Sequence, residues 1–283
     1  NGNTHMMTPA PISRDVVFIG GGHAHAVALK MLAMKSLPGV RLTLISSQVQ
    51  TPYSGMLPGL IAGHYSYDQT HIDLARLCKA CGARFIEDTV IELNTETQTI
   101  GCKNHPDFGY DLLSIDIGST PDKTTVEGAE ENTQGVKPVP EFLNYWRDLQ
   151  QRLLNNYDAL PSLNQAAEPI RIGTVGGGAS AVEVLLAIQH HLDSLPALTP
   201  NPLPTIEYHI VSGAEQVLPS HNQKVRDQYT ALLLKRGIVV HDEFRVTKIE
   251  RPENAAPSDK KQLHSEDGRL LDLDEIIWTT AAK

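Results

Sequence analysis

Val16-Val17-Phe18-Ile19-Gly20-Gly21-Gly22-His23-Ala24-His25-Ala26-Val27-Ala28-Leu29 is the stretch whose reading decides the fold. Four apolar residues predict a buried parallel strand. Three glycines predict a turn, and an Ala/Val/Leu-rich segment from His23 predicts a helix. A strand that turns directly into a helix leaves free N–H groups and a positive dipole end facing outward, a natural seat for a pyrophosphate. Gly20 is expected to allow the tight turn, and Gly22 to let a phosphate approach the backbone. The third glycine of the GxGxxG pattern is replaced by His25. A plain strand-to-helix turn is the competing reading of this stretch alone.

The second occurrence decides between them. Ile170-Arg171-Ile172-Gly173-Thr174-Val175-Gly176-Gly177-Gly178-Ala179-Ser180-Ala181-Val182-Glu183 repeats the design about one domain length later. Ala181 stands in the third position, as the pattern permits. The predicted fold class is therefore α/β, with two Rossmann-like dinucleotide-binding domains of three layers (ββα/βα).

Composition narrows the function classes. The chain has 283 residues, 41% of them hydrophobic, and a net charge of −9. This length predicts two domains. The acidic balance gives no footprint for nucleic acid. No apolar run approaches the roughly 18 residues of a membrane span, and no signal peptide is visible. Three cysteines make no disulfide framework, which points to a reducing, cytoplasmic setting. Residues 1–6, ending His5-Met6, read as a cloning remnant.

Residues 41–46 read as the second parallel strand, but it ends in Ser46-Ser47 where such folds offer an acid to a ribose. The loop Thr51-Pro52-Tyr53-Ser54-Gly55-Met56-Leu57-Pro58-Gly59 follows a strand's carboxyl end, where doubly wound sheets bind ligands. Tyr53 and Met56 would lie against a flat ring there; the alternative puts them in the core. Residues 70–81 predict a helix capped by Thr70. Cys78 and Cys81 read as small core residues, since no second Cys/His pair stands at zinc spacing. His23 and His25 lack a third ligand, so no metal is expected. Residues 84–87 and 90–93 predict short strands. Residues 97–102 are expected to pair with 111–117 through a turn at 104–107. A helix over 139–160 precedes the second glycine unit. Its helix covers 180–192, and its second strand (205–211) ends at Ser212. Residues 222–236 predict a further helix, 238–240 a strand, and 244–250, 261–265 and 269–271 a meander. A final apolar strand over 275–281 parallels the one before Gly118.

At these residues the chain resembles the flavin-dependent pyridine nucleotide oxidoreductases, near the type II NADH dehydrogenases. It is similar above all to the flavoprotein module fused to selenide, water dikinase. The carriers are Gly20 to His25, Pro52 to Gly59, Ser114 to Ser119, Val136-Lys137-Pro138 and the Gly176 unit. The resemblance implies an FAD domain over 7–137 and an inserted NAD(P)-binding domain over 138–283. The FAD domain would be incomplete, with a C-terminal return segment absent. It implies that Gly20, Gly21, Gly22 and His25 line the FAD pyrophosphate, Ser46 and Ser47 the adenosine ribose, and Tyr53, Ser54, Gly55 and Met56 the isoalloxazine. Val90 would meet the adenine, and Gly118 and Ser119 would close the site. Gly176, Gly177, Gly178, Ala181, Glu183 and Ser212 would serve NAD(P)H. The implied activity is hydride transfer from NAD(P)H to flavin, then to a quinone-like or other small-molecule acceptor, with no protein nucleophile. The alternatives are a nucleotide-binding fragment without flavin, or a flavin module serving selenium or sulfur metabolism beside a selenide, water dikinase. A bacterial, cytoplasmic protein is implied, with membrane contact only through a C-terminal part.

Overall fold

The computed structural model describes residues 11–35, 37–155, 168–195, 204–252 and 260–280. It divides into two compact units: residues 1–56 with 66–118, and residues 57–65 with 119–283. No helix among the described residues is long and apolar enough to cross a membrane.

The first unit contains β1 (Arg14–Ile19), α1 (His23–Met34), β2 (Val40–Ser46), β3 (Gln50–Pro52), α3 (Tyr67–Thr70), β4 (His71–Asp73), α4 (Leu74–Cys81), β5 (Arg84–Glu87), β6 (Val90–Asn94), β7 (Thr99–Cys102), β8 (Phe108–Gly109) and β9 (Leu112–Ile115). The helix between β3 and α3, α2 (Leu57–Ile61), belongs to the second unit. A parallel sheet runs β5-β2-β1-β9. One face carries Phe18, Leu42 and Leu44 against Leu29 of α1 and Leu74 and Cys78 of α4. The other carries Val17, Ile19 and Ile45 against Ile100 and Cys102 of the antiparallel sheet β6-β7-β8. Strand alternation thus feeds two cores, which is why these strands read as continuous apolar runs.

Two sequence expectations change here. The helix predicted over 70–81 is interrupted. Ser66 and Gln69 form the capping box of α3, β4 pairs with β3, and α4 starts only at Leu74. Its cap is the Asp73 carboxylate, accepting from Arg76 N at 2.8 Å. Residues 111–117 do not pair with 97–102. The two-residue β8 takes that place, and β9 joins β1 in parallel.

The second unit repeats the plan with α5 (Ala129–Asn132), β10 (Gln134–Gly135), α6 (Val139–Asn155), β11 (Ile170–Val175), α7 (Ala179–Ser194), β12 (Ile206–Val211), α8 (Gln223–Lys235), β13 (Val239–His241), β14 (Val246–Glu250), β15 (Lys261–Ser265), β16 (Leu270–Leu273) and β17 (Glu275–Trp278). The parallel order is β10-β17-β11-β12-β13, and β14-β15-β16 forms the antiparallel layer. The end of the helix predicted over 139–160 lies outside the described residues. On α6, Phe142, Trp146, Leu149 and Leu153 are buried against α7 and the sheet, each worth roughly 2 kcal/mol. Val175, Val211, Ile276 and Trp278 face the antiparallel layer through Phe244, Ile249, Leu263 and Leu273. At the start of β17, Glu275 accepts from Tyr145 Oη at 2.9 Å and Arg152 Nη1 at 2.5 Å.

Candidate functional site: two glycine turns

Strand registers put the two turns in correspondence. Ile19 pairs with Ile115, and Val175 with Trp278. The residue opposite the first turn is therefore Asp116, and opposite the second it is Thr279. Ser46 at the end of β2 corresponds to Ser212 directly after β12, and Gly21 corresponds to Gly177.

In the first turn Gly20 has φ +90°, and a Cβ there would run into the Asp116 carbonyl. Glycine is required at this position on both counts. Gly22 is the N-cap of α1 and offers no side chain to it. Asp116 supplies one from the neighbouring strand: Oδ2 accepts from Ala24 N at 3.0 Å and His25 N at 3.3 Å. Gly22 N donates to the Asp116 carbonyl at 3.0 Å. A Cβ on Gly22 would overlap the Asp116 carboxylate. The glycine expected to admit a phosphate thus admits a carboxylate of the chain itself. Among the described residues the amides of Gly21 and His23 make no hydrogen bond.

His25 is only 3% exposed. Its Nδ1 lies 2.8 Å from Gly20 O and its Nε2 2.8 Å from Ser114 Oγ. A carbonyl only accepts, so Nδ1 carries the proton and Nε2 accepts from the serine. The ring also packs edge-on to Phe18. It clamps turn to strand through these contacts. The Ser46 hydroxyl is likewise used locally: it donates to Gln48 O and accepts from Gln48 N. Ser47 is exposed.

The loop after β3 returns to this turn. Tyr53 N donates to Thr70 O at 2.8 Å, and the Tyr53 ring meets the His23 ring edge-on at 5.4 Å. Tyr53 is 41% exposed rather than buried in the core. Ser54 and Gly55 are exposed and Met56 is half-buried. Beside this loop His71, paired with Pro52, holds Nδ1 against Tyr67 O while its enclosed Nε2 has no partner among the described residues. Sequence reading passed over His71, because a three-residue strand shows no periodicity. Val90 is half-buried against the Val17/Ile19/Ile45 cluster. The residue organising its approach is Asp88, buried and accepting from Thr89 N, Asn104 N, Asn104 Nδ2 and His105 Nδ1 (2.6 Å). Burial alone would raise this carboxyl. His105 and the amides of Asn104 and Thr89 outweigh burial and hold it at about 2. Gly118 has φ +76° with open space where a Cβ would be, and Ser119 is exposed.

The second turn differs in its charges. Gly176 has φ +131°, and a Cβ there would strike the Thr279 hydroxyl. That hydroxyl donates inward to Val175 O at 2.8 Å. Gly178 offers no side chain to cap α7, and among the described residues the amides of Ala179, Ser180 and Ala181 have no hydrogen-bond partner. A Cβ on Gly178 would meet nothing within 4 Å. The loop after β12 folds back, with Leu218 N donating to Gly177 O at 2.6 Å. Ser212 Oγ accepts from Ala214 N at 3.2 Å, repeating the Ser46 turn. Ala181 is fully buried and Glu183 is exposed on α7. Around the ends of β12 and β13 stand Glu215, Asp242 and Glu243. Burial first, then Glu243 and Glu215, raise the Asp242 carboxyl above its ordinary range.

The cysteines are all free thiols. Burial and then Cys81 push Cys78 up to about 12, which disfavours its thiolate. Among the described residues no three metal-ligating side chains converge.

Comparison with known proteins agrees with this architecture. The chain is 25% identical over 146 residues to the sulfide-quinone reductase of Aquifex aeolicus, a match covering 51% of this chain and 33% of that protein. It superposes on NDH2 from Plasmodium falciparum in complex with NADH, with TM-score 0.77 and 17% identity. That match covers 95% of this chain and 55% of the other. The water-forming NADH oxidase from Lactobacillus brevis bound to NADH gives TM-score 0.70 at 16% identity, covering 95% and 54%. The chain thus spans about half the length of these structures and matches a third of the reductase. The model of the pyridine nucleotide-disulphide oxidoreductase family matches residues 14–281, so the chain belongs to the pyridine nucleotide-disulphide oxidoreductase family.

Proposed function

We propose that this chain is the dinucleotide-binding part of a flavin-dependent oxidoreductase, with FAD at the first glycine turn and NAD(P)H at the second. The observation that carries the reading is the repeated turn: two helices begin at glycines opposite equivalent strand ends, each with first-turn amides that have no partner among the described residues. Both turns fit an anionic dinucleotide. The amides of Gly21 and His23 would hold the FAD pyrophosphate, with Tyr53, Ser54, Gly55 and Met56 as the surface for its ring system. The amides opening α7, with Gly177 and Gly178, would hold the nicotinamide dinucleotide. The bound flavin would supply the hydride chemistry; the protein's part is to bind, orient and exclude water. The acidic group Glu215, Asp242 and Glu243 favours NADH, because a 2′-phosphate would be repelled there. Likeness to a sulfide-quinone reductase supports a quinone-like acceptor. Service to a selenide, water dikinase rests on the Pro52 to Gly59 resemblance.

The test is absorbance from 300 to 550 nm of the protein supplied with FAD and desalted, before and after anaerobic NADH. Twin flavin bands that bleach support the reading. A second reading, a nucleotide-binding fragment without flavin, is favoured by the Asp116 carboxylate in the first cradle. It predicts a featureless scan from a protein that still binds NADH.

A further inference from the structure

We infer that Asp116 sets the dinucleotide affinity of the first turn and restricts where a pyrophosphate can sit on it. This rests on the reading that the first turn takes FAD. The two turns agree in register, in the serine that ends the neighbouring strand and in glycine placement. They differ at the position facing the helix N-terminus. In the second unit Thr279 turns its hydroxyl back to its own sheet and leaves the amides of α7 open. In the first, Asp116 spends a carboxylate oxygen on the amides of Ala24 and His25. Among the described residues the carboxylate's hydrogen-bond partners are these two backbone amides. The end of α1 is therefore already occupied by an anion covalently part of the chain. An incoming pyrophosphate is left the amides of Gly21 and His23, and it must sit beside a fixed like charge. Both effects lower affinity, and the charge effect is screened by salt because the site is partly exposed.

The test is a fluorescence titration of FAD into the full chain and its Asp116→Asn and Asp116→Thr variants, at 50 and 200 mM NaCl. Asn keeps an oxygen for the two amides and removes only the charge. Asp116→Asn is expected to bind FAD about three- to tenfold more tightly at low salt, with a smaller gain at high salt. Amide exchange gives an independent readout: FAD leaves Ala24 and His25 unchanged in the parent and protects them in Asp116→Thr. NADH titration at the second turn stays the same in all three. Equal or weaker FAD binding by Asp116→Asn, in a parent that binds FAD, overturns the inference and leaves the flavin reading intact. Failure of the parent and both variants to bind FAD overturns both.

Discussion

Replacing Gly22 by alanine is expected to destabilise the first unit only while Asp116 is present. Gly22 has φ −59°, which alanine adopts without strain, so the backbone itself raises no objection. The obstacle is the Asp116 carboxylate, which an alanine Cβ would overlap. To clear it the carboxylate carbon, 2.1 Å from that Cβ, must retreat by about 1.4 Å to reach ordinary carbon–carbon contact. It cannot then keep its bonds at 3.0 and 3.3 Å to Ala24 N and His25 N. Loss of that charged cap costs about 1–2 kcal/mol. Asp116→Ala alone removes the same cap and should cost a similar amount. The double variant should then be hardly worse than Asp116→Ala, giving a coupling of about 1–2 kcal/mol instead of additivity. Urea unfolding must be followed by far-UV circular dichroism or by amide exchange on α1. Both tryptophans, Trp146 and Trp278, lie in the second unit, so a probe located in the first unit is required. Costs that add to within about 0.3 kcal/mol, or a neutral Gly22→Ala, would refute the reasoning.

Further expectations concern the second unit and the thiols. Phe142→Ala should cost about 3–5 kcal/mol in a melt followed by Trp146 fluorescence, since Phe142 is fully buried; a loss under 1 kcal/mol would contradict the packing. His241 is held down at about 4 by burial, then by His209 and Arg269. Its neutral form thus stabilises the fold above the unfolded value near 6.5, and that contribution is lost as pH falls toward 4. Allowing for solvent screening it amounts to ~1–2 kcal/mol, and His241→Gln should flatten the stability profile between pH 6.5 and 4. NADH should bind about tenfold or more tightly than NADPH in competitive titration, and Glu215→Gln should narrow the ratio; equal binding of the two in the parent would argue against the acidic group as selector. At pH 8 Ellman's reagent should modify Cys81 well before Cys78, and fast reaction of Cys78 would contradict its burial.

The glycine turns, the parallel strands and the pairing of the halves are legible in the sequence because each rests on a local pattern. An apolar run of four followed by glycines needs no tertiary information to be read. Partner choice is different. Leu112 to Ile115 is apolar in either role, and nearness along the chain favours a hairpin with 97–102. The structure gives that place to Phe108 and Gly109, a strand too short to show alternation. Residues 70–81 mislead for a similar reason. Thr70 and Asp73 have capping spacing, but Ser66 with Gln69 already caps α3, and Asp73 caps α4. Asp116 was visible only as part of a strand. Its importance appears when its register is set beside Thr279, and register is a property of the folded sheet.

The twin turns bear on how such a chain can change over generations. A Cβ at Gly177 would strike the Ser212 hydroxyl and one at Gly21 would strike the Leu74 side chain, so neither glycine can drift freely. The residue opposite each turn differs in kind: one half has aspartate there, bonded to the helix amides, and the other threonine, bonded to its own sheet. A frame held in shape by its glycines thus accepts different charges at one position, so two cradles of the same build can differ in what they hold without either having to refold.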